Sequence, residues 1–93
     1  MIRSFRCAET RALHDGGRCR KTWEAFRTVA PRKLDMLDAA DEFRDLRSPP
    51  GNRLGKLSGD RDGQWSIRIN DQWRLCFRWG ATGPEDVEIV DDH

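Results

Sequence analysis

The chain has 93 residues, 37% hydrophobic and 35% charged, which bounds one domain over residues 1–93 with a single core. No apolar run reaches the roughly 18 residues that a membrane helix needs, so no transmembrane helix is expected. The net charge of +1 hides a segregation: residues 1–33 hold nine Lys/Arg and three Asp/Glu, residues 34–51 two and five, residues 52–80 six and three, and residues 81–93 none and five.

Residues 1–6 read as a strand around Ile2 and Phe5, and lack the apolar centre of a signal peptide. The expected compartment is therefore the cytoplasm. A short helix over Ala8 to His14 is stopped by Asp15-Gly16-Gly17. Thr22 is placed to cap a second short helix running to about Val29. Pro31 suits the first turn of a longer helix, where its missing N–H costs nothing. That helix is predicted to reach about Leu46. Its core stripe is Met36, Leu37, Ala40 and Phe43, with Leu34, Ala39 and Leu46 at the margins. Ser48-Pro49-Pro50-Gly51 ends it. A short strand is expected over Leu54 to Leu57, a tight loop over Gly59 to Gly63, a turn over Ala81 to Pro84, and a last strand with Val87 and Ile89 inward. Strands and helices are segregated along the chain, so the class is α+β.

The most regular stretch is Gln64 to Trp79. Trp65, Ile67 and Ile69 alternate with Gln64, Ser66 and Arg68; Trp73, Leu75, Phe77 and Trp79 alternate with Arg74, Cys76 and Arg78. Period-two alternation of this length predicts two half-buried strands. A two-residue turn at Asn70-Asp71 would pair apolar with polar residues throughout. A three-residue loop, Asn70-Asp71-Gln72, instead pairs Ile69 with Trp73, Ile67 with Leu75 and Trp65 with Phe77, and puts all the apolar side chains on one face. This register also sets Arg68 opposite Arg74, and Gln64 opposite Arg78. Like charges so opposed cost about 0.2–1 kcal/mol. Two readings of the pair stand: an anion site, or a charge ladder in which Glu88 or a nearby aspartate neutralises the arginines.

Cys7, Cys19 and Cys76 form no CxxC pair, which argues against disulfides and a zinc site, and His14 and His93 lack metal-ligand spacing. No P-loop, GxGxxG or GxSxG is present, so neither nucleotide-dependent nor serine-hydrolase chemistry has support, and no cofactor is expected.

The runs Asp45-Leu46-Arg47-Ser48-Pro49-Pro50-Gly51-Asn52-Arg53-Leu54, Leu57-Ser58-Gly59-Asp60-Arg61, Ser66 to Phe77 and Val87-Glu88-Ile89-Val90-Asp91-Asp92-His93 stand in this order. Together with Met1 to Phe5 and Arg32 to Ala40, they closely resemble HigB-type toxins of the RelE/ParE superfamily of bacterial type II toxin–antitoxin modules. The resemblance implies a RelE-like fold, with an N-terminal strand and helices followed by an antiparallel sheet that has helices packed on one face. It implies a ribosome-dependent messenger-RNA endoribonuclease. The implied partners are a HigA-type helix-turn-helix antitoxin, the ribosome and mRNA, with operator DNA reached only through the antitoxin and no membrane involved.

In such an enzyme an RNA 2′-hydroxyl attacks its own 3′ phosphate, and the transition state gathers negative charge on the nonbridging oxygens. Arginine forks match those oxygens and stay protonated. Arg74 matches the family's catalytic arginine in Asp71-Gln72-Trp73-Arg74, and Arg68 fits beside it. His93 matches the family's terminal histidine and suits general acid–base work. Asp92 precedes it, where many relatives carry a tyrosine that stacks or takes part in proton transfer. Arg53, Lys56, Arg61 and Arg78 are the candidate RNA-binding cations. Gly55 and Ser58 stand where some relatives have a histidine and a lysine. These departures leave a catalytically weak or dead binding module as one alternative. A ParE-like gyrase poison is another, disfavoured by the Arg68/Arg74 pair and His93.

Overall fold

A computed structural model describes residues 1–16, 20–48 and 50–91, with only the backbone of Pro50. Helix α1 covers Ala8–Gly16 and α2 covers Val29–Ala39, with a 3₁₀ segment Lys21–Phe26 between them. Further 3₁₀ turns span Phe43–Arg47, Pro50–Asn52 and Gly59–Arg61. Strands β1 (Gly55–Lys56), β2 (Trp65–Arg68), β3 (Trp73–Gly80) and β4 (Gly83–Asp91) form one antiparallel sheet in sequence order. The α+β class and the segregation of helices from strands are as the sequence predicts.

Helices α1 and α2 and the 3₁₀ segments Lys21–Phe26 and Phe43–Arg47 supply one side of the core. Leu13, Trp23, Phe26, Ala30, Leu34, Leu37 and Leu46 meet Ile67, Ile69, Leu75, Phe77, Val87 and Ile89 from the sheet. Each is nearly or fully buried, so truncating any of the leucines to alanine should cost about 2–5 kcal/mol. No helix among the described residues is long and apolar enough to cross a membrane.

Three expectations need correction. Residues 1–6 form no regular strand: Phe5 makes a single parallel bridge to Val87. The segment still runs along β4, with Arg3 N donating to Pro84 O at 2.8 Å, Val87 N to Ser4 O at 3.1 Å and Arg6 N to Val87 O at 3.0 Å. Gly83 permits this approach; at φ 138°, a Cβ there would stand 2.6 Å from the Met1 carbonyl oxygen. Thr22 caps nothing, because it lies inside the 3₁₀ segment that follows Arg20.

The long helix stops at Ala39, not at Leu46. Ala40 is extended, with ψ 122°, and the chain restarts as Phe43–Arg47. Asp45 explains the break: its carboxylate accepts from the backbone N–H groups of Asp41 (3.1 Å) and Glu42 (3.0 Å) and so starts a new turn. A continuous helix would also have put Asp41, Glu42 and Asp45 near its negative end. The break changes the helical phase. Leu34, Leu37 and Leu46 are the wholly buried residues, while Met36 and Phe43 are only half-buried and Ala39 lies outside the core.

Candidate anion-binding site

The hairpin adopts the register that the alternation predicts. Trp65 pairs with Phe77, Ile67 with Leu75, and Arg68 with Arg74. Asn70 shapes the loop: its side-chain oxygen accepts from Gln72 N (2.9 Å) and Trp73 N (2.8 Å). Ile69 N then donates to Trp73 O at 3.0 Å. The paired ladder ends at Trp65, and Gln64 joins Leu57 instead of Arg78, accepting from Leu57 N at 2.9 Å.

Across β3, Arg74 faces Val90 and Cys76 faces Glu88. One extra residue in β4 then shifts the register so that Arg78 meets Glu85. Asp86, at φ 53°, takes up that extra residue as a bulge. Val87 thereby points into the core while Glu88 stays on the arginine face.

The two paired arginines differ in their partners. Arg68 is tied to Asp71, a carboxylate in the loop whose side chain is 98% exposed. Arg74 donates from Nε to Ser66 Oγ at 2.7 Å and from Nη2 to the Arg53 carbonyl oxygen at 2.8 Å. Among the described residues, no carboxylate lies within 4.0 Å of its guanidinium. Of the two readings, the ladder describes Arg68 in part, and among the described residues it supplies no carboxylate to Arg74. Both contacts of Arg74 are to neutral oxygens. They fix the direction of the fork, and neither compensates its charge.

Arg53 takes a left-handed backbone, φ 46°, unusual for a residue other than Gly, Asn or Asp. Gly55 pairs with Ser66 and so sits on the arginine face, beside the hydroxyl that holds Arg74. A Cβ on Gly55 would meet nothing closer than Arg53 O at 3.8 Å.

The remaining candidate residues divide. Arg61 is bound to Glu88 at 2.6 Å, and that carboxylate raises the guanidinium's pKa further; its Nη1 also donates to Gln64 Oε1 at 3.1 Å. Arg6 approaches the same carboxylate at 4.0 Å. Arg78 lies 3.6 Å from Asp86 and covers Gly63. Lys56 pairs with Trp65, which puts it on the helix side of the sheet, away from Arg68 and Arg74. Arg53 is exposed next to Arg74. Asp92 and His93 lie outside the described residues.

Sequence reading missed two residues. Asn52 is wholly buried, and its amide nitrogen donates to Leu46 O at 3.1 Å and Ser48 O at 3.4 Å. Its oxygen accepts from Lys33 Nζ at 2.6 Å. Partial burial lowers the Lys33 pKa below 10.5, and the nearby charge of Arg68 adds to the effect. No periodicity flags either residue, since their meeting depends on the turn between α2 and β1.

Comparison with known proteins points to one group. The family model described as "RelE-like toxin of type II toxin-antitoxin system HigB" matches residues 5–93. A protein of Vibrio cholerae named Toxin HigB-1 is 56% identical over 48 residues, 52% of this chain and 50% of that protein. A protein of Proteus vulgaris named Endoribonuclease HigB is 36% identical over 47 residues, 50% of each chain. An uncharacterized protein of Haemophilus influenzae is 45% identical over 51 residues, 55% of this chain and 50% of that protein. The chain thus spans about half the length of the curated relatives it matches.

Proposed function

We propose that this chain, which belongs to the family of RelE-like toxins of the type II toxin–antitoxin system HigB, is an endoribonuclease that cuts messenger RNA at the ribosome. The observation that carries the reading is Arg74, a guanidinium aimed by two neutral oxygens with no described carboxylate against it. A relative of this chain bears the name Endoribonuclease HigB.

In the reaction a base removes the proton of an RNA 2′-hydroxyl, and the resulting oxyanion attacks the adjacent phosphorus. The bond from phosphorus to the 5′ oxygen of the next nucleotide breaks, that oxygen takes up a proton, and a 2′,3′-cyclic phosphate remains. Negative charge on the nonbridging oxygens is greatest in the phosphorane-like transition state. Arg74 and Arg68, neighbours across the hairpin, are the groups we assign to those oxygens. His93 is assigned the proton transfers, because an imidazole titrates near neutral pH. Arg53 holds a flanking phosphate. The toxin acts in the cytoplasm and is neutralised by a HigA-type antitoxin, through which operator DNA is also reached.

The test is Arg74→Ala, compared with wild type at equal protein levels. Loss of growth arrest and of new 5′ ends on translated messages is expected, with the fold retained. Full toxicity of the variant would overturn the assignment. A second reading, a module that binds ribosome or antitoxin without cleaving, draws on Gly55. The position on the arginine face next to Ser66 carries no side chain that can move a proton. Ribosome binding by wild type without any cleavage would select it.

A further inference from the structure

We propose that Lys33 is a third phosphate ligand of the site, presented from α2 and positioned there by the buried side chain of Asn52. The inference rests on the RNA-cleaving reading and extends it to a residue outside the sheet. Asn52 and Arg53 are consecutive, and each holds one cation. The Asn52 side-chain oxygen takes Lys33 Nζ at 2.6 Å, and the Arg53 carbonyl takes Arg74 Nη2 at 2.8 Å. One turn of chain therefore sets the ammonium and the guanidinium relative to each other.

The orientation of Asn52 is not arbitrary. Its amide nitrogen faces two carbonyl oxygens and the Met36 sulfur, all acceptors, so only its oxygen can face Lys33. With no exposure and every polar atom committed, Asn52 is a rigid anchor. Lys33 has three N–H donors, and Asn52 uses one. Among the described residues no carboxylate lies within 4.0 Å of Nζ, and the charge it does sense is the like charge of Arg68.

A surface lysine ordinarily swings away from another cation into water, at the gain of rotamer freedom. Here the hydrogen bond to a buried amide keeps it. Three cations, Lys33, Arg68 and Arg74, are thus gathered about one end of the hairpin. Their mutual repulsion is relieved when an anion arrives, which is a property of a phosphate site and not of a structural contact. A point charge without a fork holds phosphate without dictating its in-line geometry, which suits Lys33 to a backbone phosphate next to the one being cleaved.

Two variants separate this role from simple satisfaction of Asn52. Lys33→Gln keeps a donor for the Asn52 oxygen and removes the charge, whereas Lys33→Arg keeps both. Binding of each full-length protein to mRNA-programmed ribosomes is measured across a salt series, together with single-turnover cleavage. Lys33→Gln is expected to melt close to wild type, to lose roughly 0.7 from the slope of log affinity against log salt, and to cleave with a KM raised on the order of tenfold at similar kcat. Lys33→Arg restores the slope. A Lys33→Gln slope and KM equal to wild type overturn the proposal. If Arg74→Ala in the same series has lost cleavage, the RNA-cleaving reading survives that failure. If Arg74→Ala also cleaves normally, the reading itself fails.

Discussion

Arg74 reads the backbone of Arg53: its Nη2 donates to the Arg53 carbonyl at 2.8 Å, and that carbonyl is turned toward it by a left-handed residue at φ 46°. Backbone conformation in the turn before β1 thus sets the aim of a guanidinium in β3. Side-chain chemistry at position 53 is separable from this, because the contact is to the main chain.

Arg53→Gly should therefore preserve the aim of Arg74. The left-handed conformation costs a non-glycine residue roughly 1–2 kcal/mol, offset in glycine by about 0.5–1 kcal/mol of added unfolded-state entropy. We expect stability unchanged or raised by up to about 1.5 kcal/mol, while the variant no longer grips the flanking phosphate. Arg53→Val should lose roughly 1–2 kcal/mol or more, because a β-branched residue resists positive φ. Urea unfolding of both variants checks the order; a valine variant as stable as the glycine one would refute the strain.

Arg74→Lys should fail to support activity. A single ammonium cannot donate to both Ser66 Oγ and Arg53 O in the observed directions and still offer a planar face to phosphate. The expected loss in cleavage rate on programmed ribosomes is at least on the order of tenfold, with folding intact. Wild-type cleavage by the lysine variant would show that charge alone suffices.

Asp71→Asn should release Arg68. The partner carboxylate is 98% exposed, so the pair adds little stability, about 0–1 kcal/mol. Removing one negative charge beside the arginines should strengthen RNA binding, most at low salt and least at high salt. Equal affinity at every salt concentration would place Arg68 outside the binding surface.

Gly55→His fits the backbone. Gly55 is not among the positive-φ residues, and its added Cβ has open space apart from one ordinary 3.8 Å contact. The imidazole would stand on the face of Ser66 and Arg74 and supply a titratable base there. We expect cleavage to rise, with a pH profile that gains a limb near the histidine pKa of about 6.5. An unchanged rate and profile would show that proton transfer is not what limits the enzyme.

Lys33 gives a stability signature. Burial first, and Arg68 second, lower its pKa below 10.5, so the folded state binds fewer protons than the unfolded state between that lowered value and 10.5. Stability then rises with pH across this window, as the cost of the buried charge disappears. Below the window the cost is fully present. Relative to Lys33→Gln, wild type should gain stability across that window, up to about pH 10.5, read as a converging pair of urea midpoints. Midpoints that run parallel would contradict a perturbed lysine.

The strands of the hairpin are legible in the sequence because only one register puts Trp65, Ile67 and Ile69 on the face of Phe77, Leu75 and Trp73. The pairing of Arg68 with Arg74 follows from it. The unequal treatment of those arginines is not legible, since Asp71 and the Arg53 carbonyl are brought in by loops of no regular period. Periodicity overextends α2 because the apolar spacing continues past Ala40, whereas Asp45 captures the backbone N–H groups of Asp41 and Glu42. Lys56 is close to the arginines' strands in sequence, but pairing with Trp65 turns it to the other side. Lys33 and Asn52 lie 19 residues apart, and nothing short of the folded turn joins them.

The bridge between the chain's first residues and β4 bears on the order in which the protein assembles during synthesis. The sheet's three antiparallel pairings join strands that are neighbours in sequence, so each can form as soon as its own residues exist. The edge of β4 is different. Asp86 N bonds to Ser4 Oγ at 2.9 Å, Val87 N to Ser4 O at 3.1 Å, and Ile89 N to Thr10 Oγ1 at 3.1 Å, contacts that span about eighty residues. The opening segment and α1 cannot make these bonds until β4 has been synthesised. In a nascent chain the bonds of Ser4 and Thr10 to β4 thus wait until residues 86–89 emerge, whereas Ile2 N can already reach Asp38 Oδ1, at 2.8 Å in the fold, once α2 exists.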